Sequence, residues 1–351
     1  MLFVAGCSSS VDDMKIQSSE CFEWENLEIP VRHVMKLSLD GTDLYAAANK
    51  EGLWVRDLRD SREEWKYLGH SFVEGEEAGS MGVIALEVYD GQIRIRSTRK
   101  TNEGEFAGIW LSKDRGRTWQ PAGQGMRGTG RYSEGKYNGT TEIIRSHHDP
   151  DILLAGGGSI FRSEDGGDTW TMVHPTSGVY FFSLSFSMSW HATDPDVVWA
   201  YGESGRMAPF LYKSEDQGKT WEIVRNRFTV GTFTSMAFDA RDPDIIYLGY
   251  VMTPVIRSNL GGEDWKIREY TSTELEGRRS IQTHPIIGGV VIAGGTRLFV
   301  SEDHGETVHE IEKPSEMGLI RDMWYDEQTD MLYVAGSEGV IRCQDPIGAI
   351  P

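Results

Sequence analysis

Three cysteines in 351 residues are too few for a fold held together by a dense disulfide framework. No run of about 18 apolar residues occurs, which excludes a membrane-spanning helix. Basic residues are scarce: Lys+Arg 35 against Asp+Glu 54 gives a formal net charge of −19. A surface of that sign repels nucleic acid and anionic lipid, so no nucleic-acid partner is expected. No Gly-rich phosphate loop precedes a helix, and no His, Cys or acidic cluster has the spacing of metal ligands. Neither a cofactor nor a metal is therefore expected. With 39% hydrophobic, 11% aromatic and 25% charged residues, the chain is not composed like a disordered or fibrous one.

What is abundant is glycine, 40 residues, together with 11 tryptophans. The two fall into one repeat. SKDRGRTW begins at Ser112, SEDGGDTW at Ser163, SEDQGKTW at Ser214, SNLGGEDW at Ser258 and SEDHGETV at Ser301, with spacings of 51, 51, 44 and 43 residues. A degenerate first copy ends at Trp65. Short apolar strands flank each copy, so the motif reads as a hairpin turn. Its Asp and Ser oxygens suit turn amides, its Gly a positive φ, and its Trp a buried contact with the next unit. Ser112, Asp114, Trp119, Ser163, Asp165, Trp170, Ser214, Asp216, Trp221, Ser301 and Asp303 are accordingly structural, not catalytic.

Upstream of each turn lies a second hairpin, as in IIRSHHDPDILLAG and MAFDARDPDIIYLGY. Four strands per unit of 40 to 50 residues predict an all-β protein, a seven-bladed β-propeller of four-stranded antiparallel blades. The innermost strands start near Arg32, Met81, Thr140, Phe181, Thr232, Arg279 and Ile320. A length suited to about two ordinary domains becomes one ring over residues 20–351. The last unit lacks its outer strand, whereas CFEWENLEI at Cys21 to Ile29 is an orphan outer-type strand with Trp24 at the Trp position. The N-terminal strand is therefore expected to complete blade seven and close the ring. Cys343 then takes the Ser position and faces Cys21, three residues before Trp24, at a separation that permits a disulfide.

MLFVAGC followed by SSS resembles the end of a bacterial lipoprotein signal peptide, with Cys7 as the lipidated residue. Residues 1–19 are then leader and polar tether, and the membrane is met only through the lipid anchor. The location is extracytoplasmic, at the cell surface or in the periplasm, where a disulfide persists.

The repeat resembles the Asp-box, or BNR, repeat of sialidases, sortilin-type receptors, xyloglucanases and photosystem II assembly-factor-like propellers, over nearly the whole chain from Cys21. The resemblance implies the fold more strongly than a function, because that superfamily mixes glycosidases, receptors and assembly factors. Sialidases carry an Arg-Ile-Pro motif near the first strand. Here LEIPVRH has Glu28 where the Arg would stand, which counts against a sialidase, and Tyr180 and Glu142 match its nucleophile pair by position only.

Propeller topology places the A–B turns and Asp-boxes on one face and the D–A and B–C loops on the other. His147, His148, His191, His284 and His304 fall on the Asp-box face as turn residues. The loop face gathers Arg32, Arg127, Arg131, Lys136, Arg206, Arg279, Arg297 and Arg321, guanidinium-rich against the net charge and suited to carboxylate, sulfate or phosphate. Acids share these loops, so some of these cations are expected to be paired. The sequence thus implies a monomeric, non-catalytic propeller that binds an anionic glycan or a protein partner. The alternative is a glycoside hydrolase or polysaccharide lyase at the channel mouth, with Glu142, Glu203, His33, Tyr137 and Tyr180 as catalytic candidates.

Overall fold

The computed structural model describes residues 18–19, 23–60, 62–69, 83, 85–97, 108–126, 142–157, 159–174, 186–203, 209–224, 231–250, 253–259, 261–262, 264–268 and 280–344. They form seven antiparallel sheets, each with at least four strands. The innermost strands are Val34–Asp40, Ala85–Tyr89, Glu142–Arg145, Phe186–Trp190, Phe233–Phe238, Ser280–Thr283 and Ile320–Asp326. Each touches the next, and the seventh touches the first, so they enclose a central channel. Among the described residues the only helical element is a single 3-10 turn, Ser315–Met317.

Burial explains the sequence pattern. The second strand of each blade is covered on both faces by neighbouring blades, so it reads as an apolar run rather than an alternation: Leu153–Gly156, Val198–Glu203 and Ile246–Tyr250 are buried at every position. The outer strands face water, as at Glu222–Ile223, where both residues are exposed. The core lies in the seams between blades. Between blades 4 and 5 it holds Trp199, Phe233, Met236, Tyr250 and Trp265, with the two indoles edge to face at 6.5 Å.

The Asp-box turns share one set of bonds. In the box at Ser163, the Ser hydroxyl donates to Asp165 Oδ1 at 2.7 Å and accepts from the Gly167 amide at 2.8 Å. Asp165 accepts from the Thr169 amide and hydroxyl at 2.9 and 2.5 Å. Ser112, Ser214 and Ser301 repeat the pattern. Hydrogen bonds from Thr118 and Ser112 hold the Asp114 carboxyl down to about 2. In blade 5, SNLGGEDW lacks the Asp at its third position, and Asp264 supplies the carboxylate from the seventh, 2.9 Å from Ser258. The box glycine is doubly constrained. Gly262 has φ +94° and a Cβ there would lie 2.4 Å from Trp199 of the preceding blade.

Register closes the ring as the repeat predicts. In the boxes at Ser112, Ser163, Ser214 and Ser258, the residue after the Trp pairs with the residue before the Ser, as in Gln120↔Leu111 and Lys266↔Arg257. Glu25↔Arg342 obeys the same rule, placing Trp24 and Cys343 at the Trp and Ser positions of blade 7. The Trp indoles tie blade to blade: Trp24 donates to the Glu312 carbonyl at 2.7 Å, Trp65 to Leu27 at 2.7 Å and Trp170 to Ala122 at 2.9 Å. Cys343 is 1% exposed and disulfide-bonded. The other two cysteines, Cys7 and Cys21, lie outside the described residues.

One feature differs from the sequence reading. Ser18–Ser19, expected in the polar tether, pairs in parallel with Glu310 and Ile311 and adds a fifth strand to blade 6. Two serines carry no apolar alternation to reveal a strand, and the bonds are supplied by an open outer edge.

Candidate functional site: the loop end of the central channel

The two faces are fixed by backbone bonds within each blade. The amide at the fourth box position donates to the A–B turn: Gly166 to Asp151 O at 2.9 Å, Gln217 to Asp196 O at 2.8 Å, Gly261 to Asp244 O at 3.0 Å. Boxes and A–B turns therefore share a face, and inner strands enter the channel from the opposite, loop face. The histidines serve the turns. His191 Nδ1 accepts from the Asp194 amide at 3.0 Å, and His284 Nδ1 accepts from Ile286 and Ile287 at 3.0 Å. Asp239 fills the same role in blade 5, accepting from the Arg241 and Asp242 amides. His304 Nδ1 lies 3.0 Å from the Tyr247 hydroxyl.

Near the loop face, three inner strands bulge: between Val34 and Lys36, between Phe233 and Ser235, and between Ile320 and Asp322. A bulge inserts a residue and re-aims its neighbours. Lys36 of blade 1 crosses in front of blade 2 and donates to Glu142 Oε2 of blade 3 at 3.0 Å. Asp322 Oδ2 of blade 7 accepts from the Leu37 amide of blade 1 at 2.8 Å. Gln282 of blade 6 donates to the Met323 carbonyl of blade 7 at 2.8 Å. In blade 4 the buried Tyr201 hydroxyl sits 3.1 Å from Ser189 Oγ. Polar contacts thus link the inner strands of blades 6, 7, 1 and 3 around the channel.

Its electrostatics follow from a charge-bearing lining at partial burial. Burial pushes Asp322 up to about 6; Lys36 and the Leu37 amide oppose this, and Glu142 adds to it. Burial also opposes the charged form of Lys36, but Glu142 and Asp322 outweigh it and hold the ammonium above its usual range. Burial lifts the Tyr201 phenol to about 12. The Lys36 side chain remains 30% exposed, toward the channel.

The sequence-named candidates separate into five groups. Arg32 lies 3.3 Å from Glu338 with a side chain 74% exposed, and Arg297 grips Glu310 through two nitrogens beneath the Phe299 ring; both are paired surface cations. Arg321 instead buries its Nε with no acceptor among the described residues. Arg127, Arg131, Lys136, Arg206, Arg279, Tyr137 and Tyr180 lie outside the described residues. Of the acids, Glu142 holds Lys36, and buried Glu203 accepts the Thr232 hydroxyl. His33 is exposed in a left-handed conformation, φ 54°, and its backbone bonds Ser337 and Asn49. Lys36, Asp322 and Tyr201 were not singled out by sequence. The available signal was a charge inside each inner-strand pattern, VMKLSLD and IRDMWYD. Among the described residues no group of three His, Cys, Asp or Glu could hold a metal ion.

The family model of sortilin, neurotensin receptor 3, matches residues 107–254. No curated protein matches the chain. Among solved structures, a GH74 enzyme of Niastella koreensis superposes with a TM-score of 0.67 at 15% identity, over 92% of this chain and 54% of that one. YCF48 bound to D1 peptide gives 0.63 at 14% identity, over 94% and 99%. The extracellular domain of the hybrid two-component system BT4673 from B. thetaiotaomicron gives 0.61 at 11% identity, over 91% and 39%. The chain therefore spans about half of the enzyme and the full length of the peptide-binding propeller. Such identities speak for the fold alone. Together with the five Asp-box turns and the seven four-stranded blades, they establish the fold as a seven-bladed propeller with Asp-box-type turns.

Proposed function

We propose that this protein is an extracytoplasmic, lipid-anchored propeller that binds an anionic partner at the loop end of its channel without transforming it. A protein partner presenting an acidic segment is favoured over an anionic glycan. The observation that carries this reading is a set of cations with donors to spare around the channel mouth. Among the described residues Lys36 has a single acceptor, Glu142, and the buried Arg321 Nε has none; a buried charged donor left unpaired is costly, and an anion from outside would satisfy it. YCF48, of matching length, is a propeller that binds a peptide, which supports a protein partner. The disulfide at Cys343 supports an oxidising compartment, and Cys21 is its proposed partner.

The hydrolase or lyase alternative asks for a carboxylate pair or a base free to exchange protons. Glu142 is engaged by Lys36 and Glu203 by Thr232, which favours binding over catalysis. The test uses the chain with Cys7→Ser, which cannot be lipidated, against immobilised acidic peptides and uronic-acid, sulfated and sialylated glycans, scoring retention and product release. Retention of acidic peptides without product, weakened by Arg279→Ala and Arg321→Ala together, is expected. Binding untouched by that double substitution removes the proposed site, and released product transfers the protein to the enzyme class.

A further inference from the structure

The face that carries the boxes and A–B turns has a feature of its own. Every A–B turn but one carries a carboxylate: Asp40, Asp90, Asp149, Asp194, Asp242 and Glu327 stand in or at the edge of the turns of blades 1 to 5 and 7. In blade 6 the turn reads His284-Pro285-Ile286-Ile287, where blade 4 has His191-Ala192-Thr193-Asp194. Ile286 is 57% exposed and Ile287 44%. Of the five large apolar side chains exposed among the described residues, only these two adjoin in sequence; single ones need no explanation, whereas a pair that breaks a polar pattern does. Turn formation does not require them. His284 Nδ1 accepts from the Ile286 and Ile287 amides just as His191 Nδ1 accepts from those of Thr193 and Asp194.

The pair is also held still. The Gly289 amide donates to Asp239 Oδ2 of blade 5 at 2.6 Å, and the Gly289 carbonyl accepts from the His304 amide of the blade 6 box at 2.9 Å. The His284 ring packs on Tyr325 of blade 7 with centroids 4.8 Å apart. Apolar side chains fixed on such a platform lose little freedom when covered. Their surroundings set the charge of the ligand. On one side the Arg241 Nε of the blade 5 turn lies 3.4 Å from the Ile286 carbonyl, and exposed Asp242 follows it. On the other, Asp330 Oδ1 of blade 7 lies 3.9 Å from His284 Nε2. Exposed Glu302 has its backbone against Gly289. Arg241 is the one lysine or arginine in the seven turns. An apolar anchor rimmed by carboxylates fits a segment whose apolar side chains are flanked by basic ones. We propose that Ile286 and Ile287 anchor a second docking surface, on the box face, for a protein segment with aliphatic residues at its centre and lysine or arginine on either side. This surface lies on the opposite face from the acidic partner's site and does not depend on it.

The experiment titrates the Cys7→Ser chain by calorimetry with the capped peptide Lys-Lys-Leu-Leu-Lys-Lys, beside versions with Gly-Gly at the centre or Glu at the flanks, at low and at physiological ionic strength. Binding of the first peptide alone, weakened by salt, is expected. Ile286→Thr with Ile287→Asp writes the blade 4 turn into blade 6, so the His284 cap is kept, the apolar pair removed and an acid added. This variant should bind roughly tenfold more weakly with an unchanged melting profile; affinity equal to or above that of wild type would mean that charge alone acts and would overturn the anchor. Asp242→Asn with Glu302→Gln should weaken binding about threefold. No loss there, or binding of the Glu-flanked peptide, would overturn the charge preference. Failure of the Lys-flanked peptide to bind would overturn the proposal outright. Dimerisation of the wild-type chain in sedimentation, abolished by the Ile286→Thr and Ile287→Asp pair, would make a second copy the occupant and overturn the basic segment.

Discussion

Asp322 should make the unliganded fold less stable as pH rises through the mildly acidic range. Its carboxyl is pushed from 3.8 to about 6, so the folded chain binds this proton more tightly than the unfolded chain. The associated stability is fully present below about pH 4 and is lost as pH rises through 6. A displacement of roughly two units corresponds to about 3 kcal/mol at about 1.4 kcal/mol per unit. Contact with channel solvent reduces this, so about 1.5 to 3 kcal/mol is expected. Asp322→Asn keeps an oxygen for the Leu37 amide and carries no charge to desolvate. About a third of this is already lost at pH 4.5, where the unfolded carboxyl is ionised, so the variant's advantage over wild type should grow by about 1 to 2 kcal/mol between pH 4.5 and 7.5, worth a few degrees in Tm. The Asp-box carboxylates slope the other way, since hydrogen bonds hold Asp114 and, against desolvation, Asp165 and Asp216 down. The decisive quantity is therefore the difference between variant and wild type, followed by denaturant melts from pH 4.5 to 7.5. A difference that stays flat across that range would refute the assignment of an uncompensated carboxylate to Asp322.

Two further outcomes follow from the seams. Non-reducing peptide mapping should recover Cys21 joined to Cys343, and reduction should lower stability by at most roughly 5 kcal/mol in the loop-entropy account; both thiols alkylating without reductant would exclude the clasp. Glu87 accepts from Arg145 at 2.6 Å and from Arg94 at 3.2 Å in the seam of blades 2 and 3, all three nearly buried. Glu87→Gln leaves two guanidinium groups sharing a neutral amide and should cost about 3 to 5 kcal/mol, read as a drop in the denaturation midpoint. A neutral result would mean that water reaches the seam.

The fold was legible because its unit is local. Ser163, Asp165, Gly167 and Thr169 lie within seven residues and satisfy one another, so the turn is written out in every copy. Even the variant copy obeys the same chemistry, with Asp264 reaching Ser258 from another position. Ring closure was also legible, because Trp24 and Cys343 fill the two ends of one motif. The channel was not. Lys36 and Glu142 are 106 positions apart and Leu37 and Asp322 are 285, and only the ring brings them together. Bulges add a second obstacle, since one inserted residue changes which side chain of VMKLSLD or IRDMWYD faces the channel.

The loop-face arginines show why counting charges misleads. Arg32 and Arg297 meet Glu338 and Glu310, and an exposed pair such as the first contributes little. The difference at Arg321 is a buried Nε with no acceptor among the described residues, which changes the argument from local density to unmet demand. The same criterion brings forward Arg96, which no count of exposed arginines would select. A net charge of −19 then has a functional side. It keeps anionic partners away from most of the surface, so that an acidic segment is retained only where cations have donors to spare. Raising ionic strength should therefore weaken binding of an acidic peptide at the channel mouth less than it weakens contact with exposed lysines such as Lys113 or Lys219, because partly buried charges are screened less.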